Sequence, residues 1–143
     1  NLELICEDYK LIKNKKVLCV EDGPTLTHGE LPTGAAYIAA KKYKAKEIVD
    51  PRKFVVGSIK KVFKKYKHLG KVLPAMGYDK KQMRELERTI NRTKCDLVIV
   101  GTPTDIRKYL KLNKKAVKVN YEFKEKIGSL EKVIKQFLKE HKL

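Results

Sequence analysis

VLCVEDGPTLTHGELPTGAAYIAAKKYKA, residues 17–45, is the stretch whose reading decides the fold. Val17 to Glu21 form a short apolar run closed by acids, with the length and β-branched content of a buried strand. Gly23 and Pro24 force a turn, so DGPTLTHGELP reads as a loop, and the small residues from about Thr33 to Ala45 read as the helix that follows it. The rest of the chain repeats this strand, loop and helix. EIVD (47–50) is a brief strand, and after PRKFVVG a helix runs from Ser58 to about Lys67. VLPAM (72–76) is a strand in which Pro74 removes a ladder donor, which marks it as irregular or an edge. Asp79 is the N-cap of a helix whose Met83, Leu86 and Ile90 make one apolar stripe. CDLVIVG holds the cleanest buried strand, four apolar residues from Leu97 to Val100 stopped by Gly101. GTPTD then opens a short helix carrying Ile106, Tyr109 and Leu110.

In AVKVNYEF, Val117, Val119, Tyr121 and Phe123 fall on one face and Lys118, Asn120 and Glu122 on the other, the pattern of a half-exposed strand near an edge. Ser129 caps a last helix whose Leu130, Val133, Ile134, Phe137 and Leu138 follow helical spacing. Five β-α units in sequence predict an α/β fold: a doubly wound, mostly parallel sheet of five to six strands between two helical layers, a Rossmann-like three-layer sandwich. Residues 1–14, with LELIC at 2–6, read as a linker or an extra strand contributed from a preceding domain.

A chain of 143 residues is the size of one domain, and 42% hydrophobic residues suffice for one core. The formal charge of +17 suggests a polyanionic partner, but only five of the 34 basic residues are Arg, and Lys is the poorer reader of bases and phosphates. Ile59, Val62, Phe63 and Tyr66 form the apolar stripe of one helix, which leaves Lys60, Lys61, Lys64, Lys65 and Lys67 as a solvated face. Lys and Glu enrichment is also a compositional habit of hyperthermophile proteins. Nucleic-acid binding therefore ranks below a small-molecule function. Cys6, Cys19 and Cys95 show no close pairing and read as buried thiols of a reducing cytoplasm. No secretion signal or membrane span is visible, and a cytoplasmic location is expected.

In a doubly wound sheet, ligands bind outside the carboxyl ends of the strands, where strand order reverses. The loops there, DGPTLTHGE, DPR, VGS, MGYD and GTPTD, are rich in groups that handle phosphate or metal. Glu21 and Asp22 end a strand, where Mg²⁺ bridging to phosphates is a sensible occupant. Thr25, Thr27 and His28 add hydroxyls and an imidazole, with Asp22 and His28 as the candidate catalytic pair. The alternative is a tight turn and helix cap, with the carboxylates bonded to backbone N–H groups. Arg52 could clamp a phosphate, Ser58 opens the next helix, and N–H groups beside Thr102 and Thr104 could hold an anion, although either threonine could equally be a cap. No G-x-x-x-x-G-K-[ST] occurs in these residues, so a P-loop nucleotide site has no phosphate cradle here.

VLCVEDGPTLTHGE, EIVDPRKFVVGSIKKVF, KYKHLGKVLPAMGYDKKQ, CDLVIVGTPTDIRKYLKLNK and VKVNYEF, in that order, resemble the pattern of cyclic 2,3-diphosphoglycerate synthetase and the predicted GTPases similar to it. The resemblance covers roughly residues 15–123. It implies a cytoplasmic, archaeal-type ligase in which a P-loop domain precedes this segment and ATP closes a phosphoanhydride in 2,3-bisphosphoglycerate. It further implies Mg²⁺ and ATP or GTP in the full-length enzyme, an upstream P-loop domain as partner, and a small phosphorylated substrate. Since the chain begins at Asn1, it is expected to be a fragment without independent turnover. Competing classes are a basic nucleic-acid module and a structural or dimerisation domain, the latter forming a homodimer.

Overall fold

The computed structural model describes residues 2–122 and 133–140. Strand β1 spans Glu3–Cys6, β2 Lys16–Asp22, β3 Glu47–Ile48, β4 Leu73–Ala75, β5 Leu97–Val100 and β6 Lys115–Glu122. Helix α1 spans Gly23–His28, α2 Ala35–Lys42, α3 Ser58–Lys65 and α4 Lys80–Arg92. Three short 3-10 turns lie at Tyr9–Leu11, Pro51–Lys53 and Ile106–Lys108. The expected α/β, Rossmann-like sheet is present. Its order is β1-β6-β5-β2-β3, with β4 paired to β2 beside β3, and every pairing is parallel except β1 with β6.

β2 is the centre of this sheet. One of its flanks takes β5, and the other is divided: Lys16 and Val17 pair with β3, while Val20, Glu21 and Asp22 pair with β4. Strand order therefore reverses at β2. The pleat sends Val17 and Cys19 into a core with α2, Ile99 and Val117, and sends Leu18 and Val20 into a second core with α3, α4, Val98 and Val100. Val17 to Val20 are fully buried because helices cover both faces. Burial of each such side chain contributes about 1.5–3 kcal/mol.

Several local expectations change. GPTLTH is a short helix instead of a loop, because Pro24 stands in its first turn, where the missing N–H is no loss. The helix expected after GTPTD is only a three-residue 3-10 turn. β4 is short and pairs with β2, as Pro74 foretold, yet all three of its residues are buried. Lys118, expected on an exposed face, is buried on the second side of β6, where its Nζ donates to Asn120 Oδ1 at 2.6 Å and the Val119 carbonyl at 3.0 Å. LELIC is a strand, antiparallel on β6. Ser129, Leu130 and Phe123 lie outside the described residues. Residues 133–140 are helical, with Val133, Ile134, Phe137 and Leu138 exposed. Cys6 and Cys19 are buried free thiols and Cys95 is half-buried. Among the described residues no helix is long and apolar enough to cross a membrane.

Candidate functional site at the carboxyl edge of the sheet

The two acids that end β2 part company. Adjacent residues on a strand project to opposite faces, so Glu21 follows Cys19 toward α2 while Asp22 follows Val20 toward the α3–α4 side. Glu21 is 1% exposed. Its Oε2 accepts the Gly34 N–H at 2.7 Å and the Tyr37 N–H at 3.1 Å, and its Oε1 accepts the Ala36 N–H at 2.9 Å. Those are the unpaired donors of the first turn of α2, so a carboxylate from a neighbouring strand caps this helix. A side chain at Gly34 or Gly101 would collide with it: an added Cβ would stand 2.9 Å and 2.6 Å from Glu21 atoms. Burial pushes the Glu21 carboxyl up to about 7, against the opposing pull of the three N–H bonds.

Asp22 is half-buried at the N-terminus of α1 and accepts a hydrogen bond from Thr25 Oγ1. Thr25 is exposed, whereas Thr27 is buried and turns back onto the Pro24 carbonyl. His28 is exposed in the last position of α1. Asp22 and His28 thus sit at opposite ends of the helix, about 9 Å apart along its axis.

The remaining sequence candidates are held by the fold. Arg52 donates to Asp50 Oδ1 at 3.0 Å, the Gly70 carbonyl at 3.1 Å and the Leu69 carbonyl at 2.7 Å, and its guanidinium lies 4.6 Å from the Phe63 ring centre. Because Ile48 is level with Val17, Asp50 stops about 10 Å short of Asp22 along the strand direction. The DPR turn therefore starts lower along the sheet than Asp22. Through Gly70, whose N–H meets the Pro32 carbonyl at 2.7 Å, Arg52 is linked to the loop between α1 and α2. Ser58 donates its hydroxyl to Glu85 Oε1 at 3.1 Å and its backbone N–H to Glu85 Oε2 at 2.5 Å. Thr102 is fully buried and bonds the Thr104 carbonyl, and the short turn beyond it is already capped by Asp105, whose Oδ1 accepts the Arg107 N–H.

What does converge at the switch point is Asp22, from the end of β2, with Tyr78, after β4, and Thr104, after β5. Tyr78 and Thr104 line one cavity, and the Tyr78 proton is held more tightly than usual by partial burial and by the Asp22 charge, with Thr104 acting in the opposite direction. Beside these residues opens a cavity of about 660 Å³ between the first turns of α4 and the loop after β5, floored by Met83 and Leu110. Among the described residues no three of His, Cys, Asp and Glu cluster as a metal site. Asp22 with Thr25 offers one carboxylate at the rim. This suits a cation that takes most of its ligands from phosphates and water, as Mg²⁺ does.

Compared with known proteins, the chain is 58% identical over 132 residues to arginine synthetase ArcE of Thermococcus kodakarensis. The likeness is to a cyclic 2,3-diphosphoglycerate synthetase-like protein, over a part of it. The match takes in 91% of this chain but 29% of that relative, so the chain spans under a third of its length. No protein-family model and no solved structure matches. The family resemblance read from the motifs therefore stands. The relative's name, however, speaks of arginine and not of a cyclic diphosphoglycerate.

Three features of this synthetase-like segment were not singled out from the sequence. Tyr78 sits in the MGYD loop, already among the strand-end loops, and its place after β4 was the available signal. Glu85 is buried because it holds the N-terminus of α3, where Gly57 has φ +58. Arg107 grips Asp105 through Nε at 2.9 Å and Nη2 at 2.8 Å and reaches Glu7 Oε2 at 2.5 Å, tying β1 to the loop after β5 and holding both carboxyls below the usual range. Nothing in the local sequence reports a contact across 100 residues.

Proposed function

We propose that this chain is part of a nucleotide-dependent synthetase in which the carboxyl edge around Asp22 handles the phosphorylated species of the reaction. We propose further that the reaction is arginine-forming, as the relative's name says of that protein, in preference to phosphoanhydride closure in 2,3-bisphosphoglycerate. The identity of 58% over 132 of the chain's 143 residues carries this reading. ATP or GTP would be cradled by a P-loop domain elsewhere in the polypeptide, since these residues contain no such loop. Mg²⁺, held by Asp22, would neutralise phosphate oxygens when bound. Thr25 orients the Asp22 carboxylate by its hydrogen bond, and Tyr78 with Thr104 lines the opposite wall. Glu21 acts indirectly, by holding α2 against the end of β2. Arg52 and Ser58 position their loops.

The test is nucleotide-dependent arginine formation by the full-length protein, run beside the same assay with 2,3-bisphosphoglycerate. Asp22→Asn is expected to lower kcat on the order of 100-fold, the loss typical of a group aimed at developing charge. His28→Ala, at the far end of α1, is expected to lose less than about tenfold, near the low end for a general acid or base. Arginine formation undiminished by Asp22→Asn, or turnover of 2,3-bisphosphoglycerate alone, would overturn the reading.

A further inference from the structure

The cavity beside Tyr78 has a wall chemistry that the reading above leaves unused. One face of α4 lines it: Lys80, Arg84 and Glu87 recur at helical spacing along a single stripe. Among the described residues Lys80 and Arg84 take part in no ion pair. Glu87 is fixed by the Lys111 N–H, which donates to its Oε1 at 2.6 Å. The rims are two tyrosines, Tyr78 and Tyr109, 45% and 66% exposed. Exposed aromatic rings on both sides of a cleft offer flat faces to a planar group, and offer a cationic one an electrostatic attraction as well.

The sign of the charges selects the ligand. Two cations against one anion leave the lining at +1, and the Asp22 carboxylate lies close enough to act on Tyr78. A nucleoside triphosphate, with several negative charges, is poorly matched to a site that presents carboxylates of its own. A dipolar ligand of small net charge is well matched. Arg84 and Glu87, one turn apart, have Cβ atoms about 5–6 Å from one another. That separation suits a carboxylate and an ammonium group carried on the same carbon atom.

We propose that this crevice is the amino-acid subsite of the protein: it takes an α-amino acid with a planar, polar end, of the arginine class. The α-carboxylate lies on Arg84 and Lys80, the α-ammonium on Glu87, and the planar end between Tyr78 and Tyr109. This placement rests on the arginine-forming reading. It adds where the amino acid sits and which residues choose it. It also sets the planar end beside Tyr78, on which the Asp22 charge acts, so that the phosphorylated species and the amino acid meet at the switch point of the sheet.

Calorimetric titration of the full-length protein with L-arginine tests it without requiring turnover. Arg84→Ala and Glu87→Gln are each expected to raise Kd about tenfold, the effect of losing one charge-assisted hydrogen bond. Tyr109→Ala is expected to weaken arginine more than it weakens glycine, which has no planar end. Lys64→Ala, on the solvated face of α3, serves as the charge control and should leave Kd unchanged. If arginine binds and both α4 variants keep wild-type affinity, the placement is wrong while the arginine-forming reading survives. If Lys64→Ala loses as much as Arg84→Ala, the attraction is diffuse charge and the subsite does not exist. Adenosine monophosphate binding abolished by the same α4 variants, with arginine binding kept, would make the crevice a nucleotide site. If the wild-type protein binds no arginine at all, the subsite and the reading beneath it fall together.

Discussion

Replacing Glu21 by Gln should change how the stability of this protein depends on pH, in a direction that the burial of that carboxylate dictates. Burial raises its pKa from 4.5 to about 7. Between those values the folded protein holds a proton that the unfolded chain has released, so this group's contribution to stability falls as pH rises through the window. The difference amounts to about 3 kcal/mol, at about 1.4 kcal/mol per pH unit, and with Glu21 1% exposed it needs little discount for solvent screening. Gln has nearly the same shape and does not titrate. Glu7 and Asp105, whose depressed pKa values make their own contribution disappear on acidification, act equally in both proteins and cancel. Urea melts of wild type and Glu21→Gln at intervals from pH 4.5 to 8 give the difference in unfolding free energy. It should move in favour of wild type by about 3 kcal/mol as pH is lowered across that range. A difference that stays flat, or that favours wild type more as pH rises, would refute the claim that desolvation outweighs the three N–H bonds at this site.

Other outcomes follow from the same contacts. Gly101→Ala would set a methyl group 2.6 Å from Glu21 Oε1 and 3.0 Å from the Ala36 nitrogen, so thermal or urea unfolding should show a loss of about 1–3 kcal/mol, as for other overpacked cores. Glu85→Ala removes the acceptor of the Ser58 N–H, and a loss of about 1–3 kcal/mol is expected, together with faster hydrogen exchange at the start of α3. Asp79→Ala deletes the cap that accepts the Gln82 N–H at 2.8 Å and should cost about 0.5–2 kcal/mol in urea unfolding, with the far-UV circular dichroism otherwise retained. The chain alone is expected to hydrolyse neither ATP nor GTP above background in a phosphate-release assay, since positioning and charge stabilisation of the phosphates are left to a loop that these residues do not contain.

The alternation of strand and helix was legible because periodicity is a local property. The apolar run from Leu97 to Val100 and the stripe of Met83, Leu86 and Ile90 became β5 and a buried face of α4, as their spacing required. The cap at Asp79 was equally local, its carboxylate bonding the Gln82 N–H three residues on. The candidate site was legible only as a rim. Sequence order brings strand-end loops to one edge, but it does not say which of them meet.

Pairing register and pleat decided the rest. Glu21 and Asp22 are neighbours in sequence and so candidates for one metal, yet the pleat turns one into a helix cap and leaves the other half-buried at the start of α1. Arg52 leaves the sheet about 10 Å lower along the strand direction than Asp22, since β3 pairs with the beginning of β2 and β4 with its end. Tyr78 and Thr104 come together for the converse reason: β4 and β5 flank the same end of β2, and their loops must meet across it. The sequence by itself determined the elements, the family resemblance and the edge to which a candidate site could be assigned, because these depend on residues within a few positions of each other. Tertiary structure alone decided which charged groups cap helices and which stay open at the edge of the sheet, because that depends on how far each strand slides against its neighbour before its hydrogen bonds close.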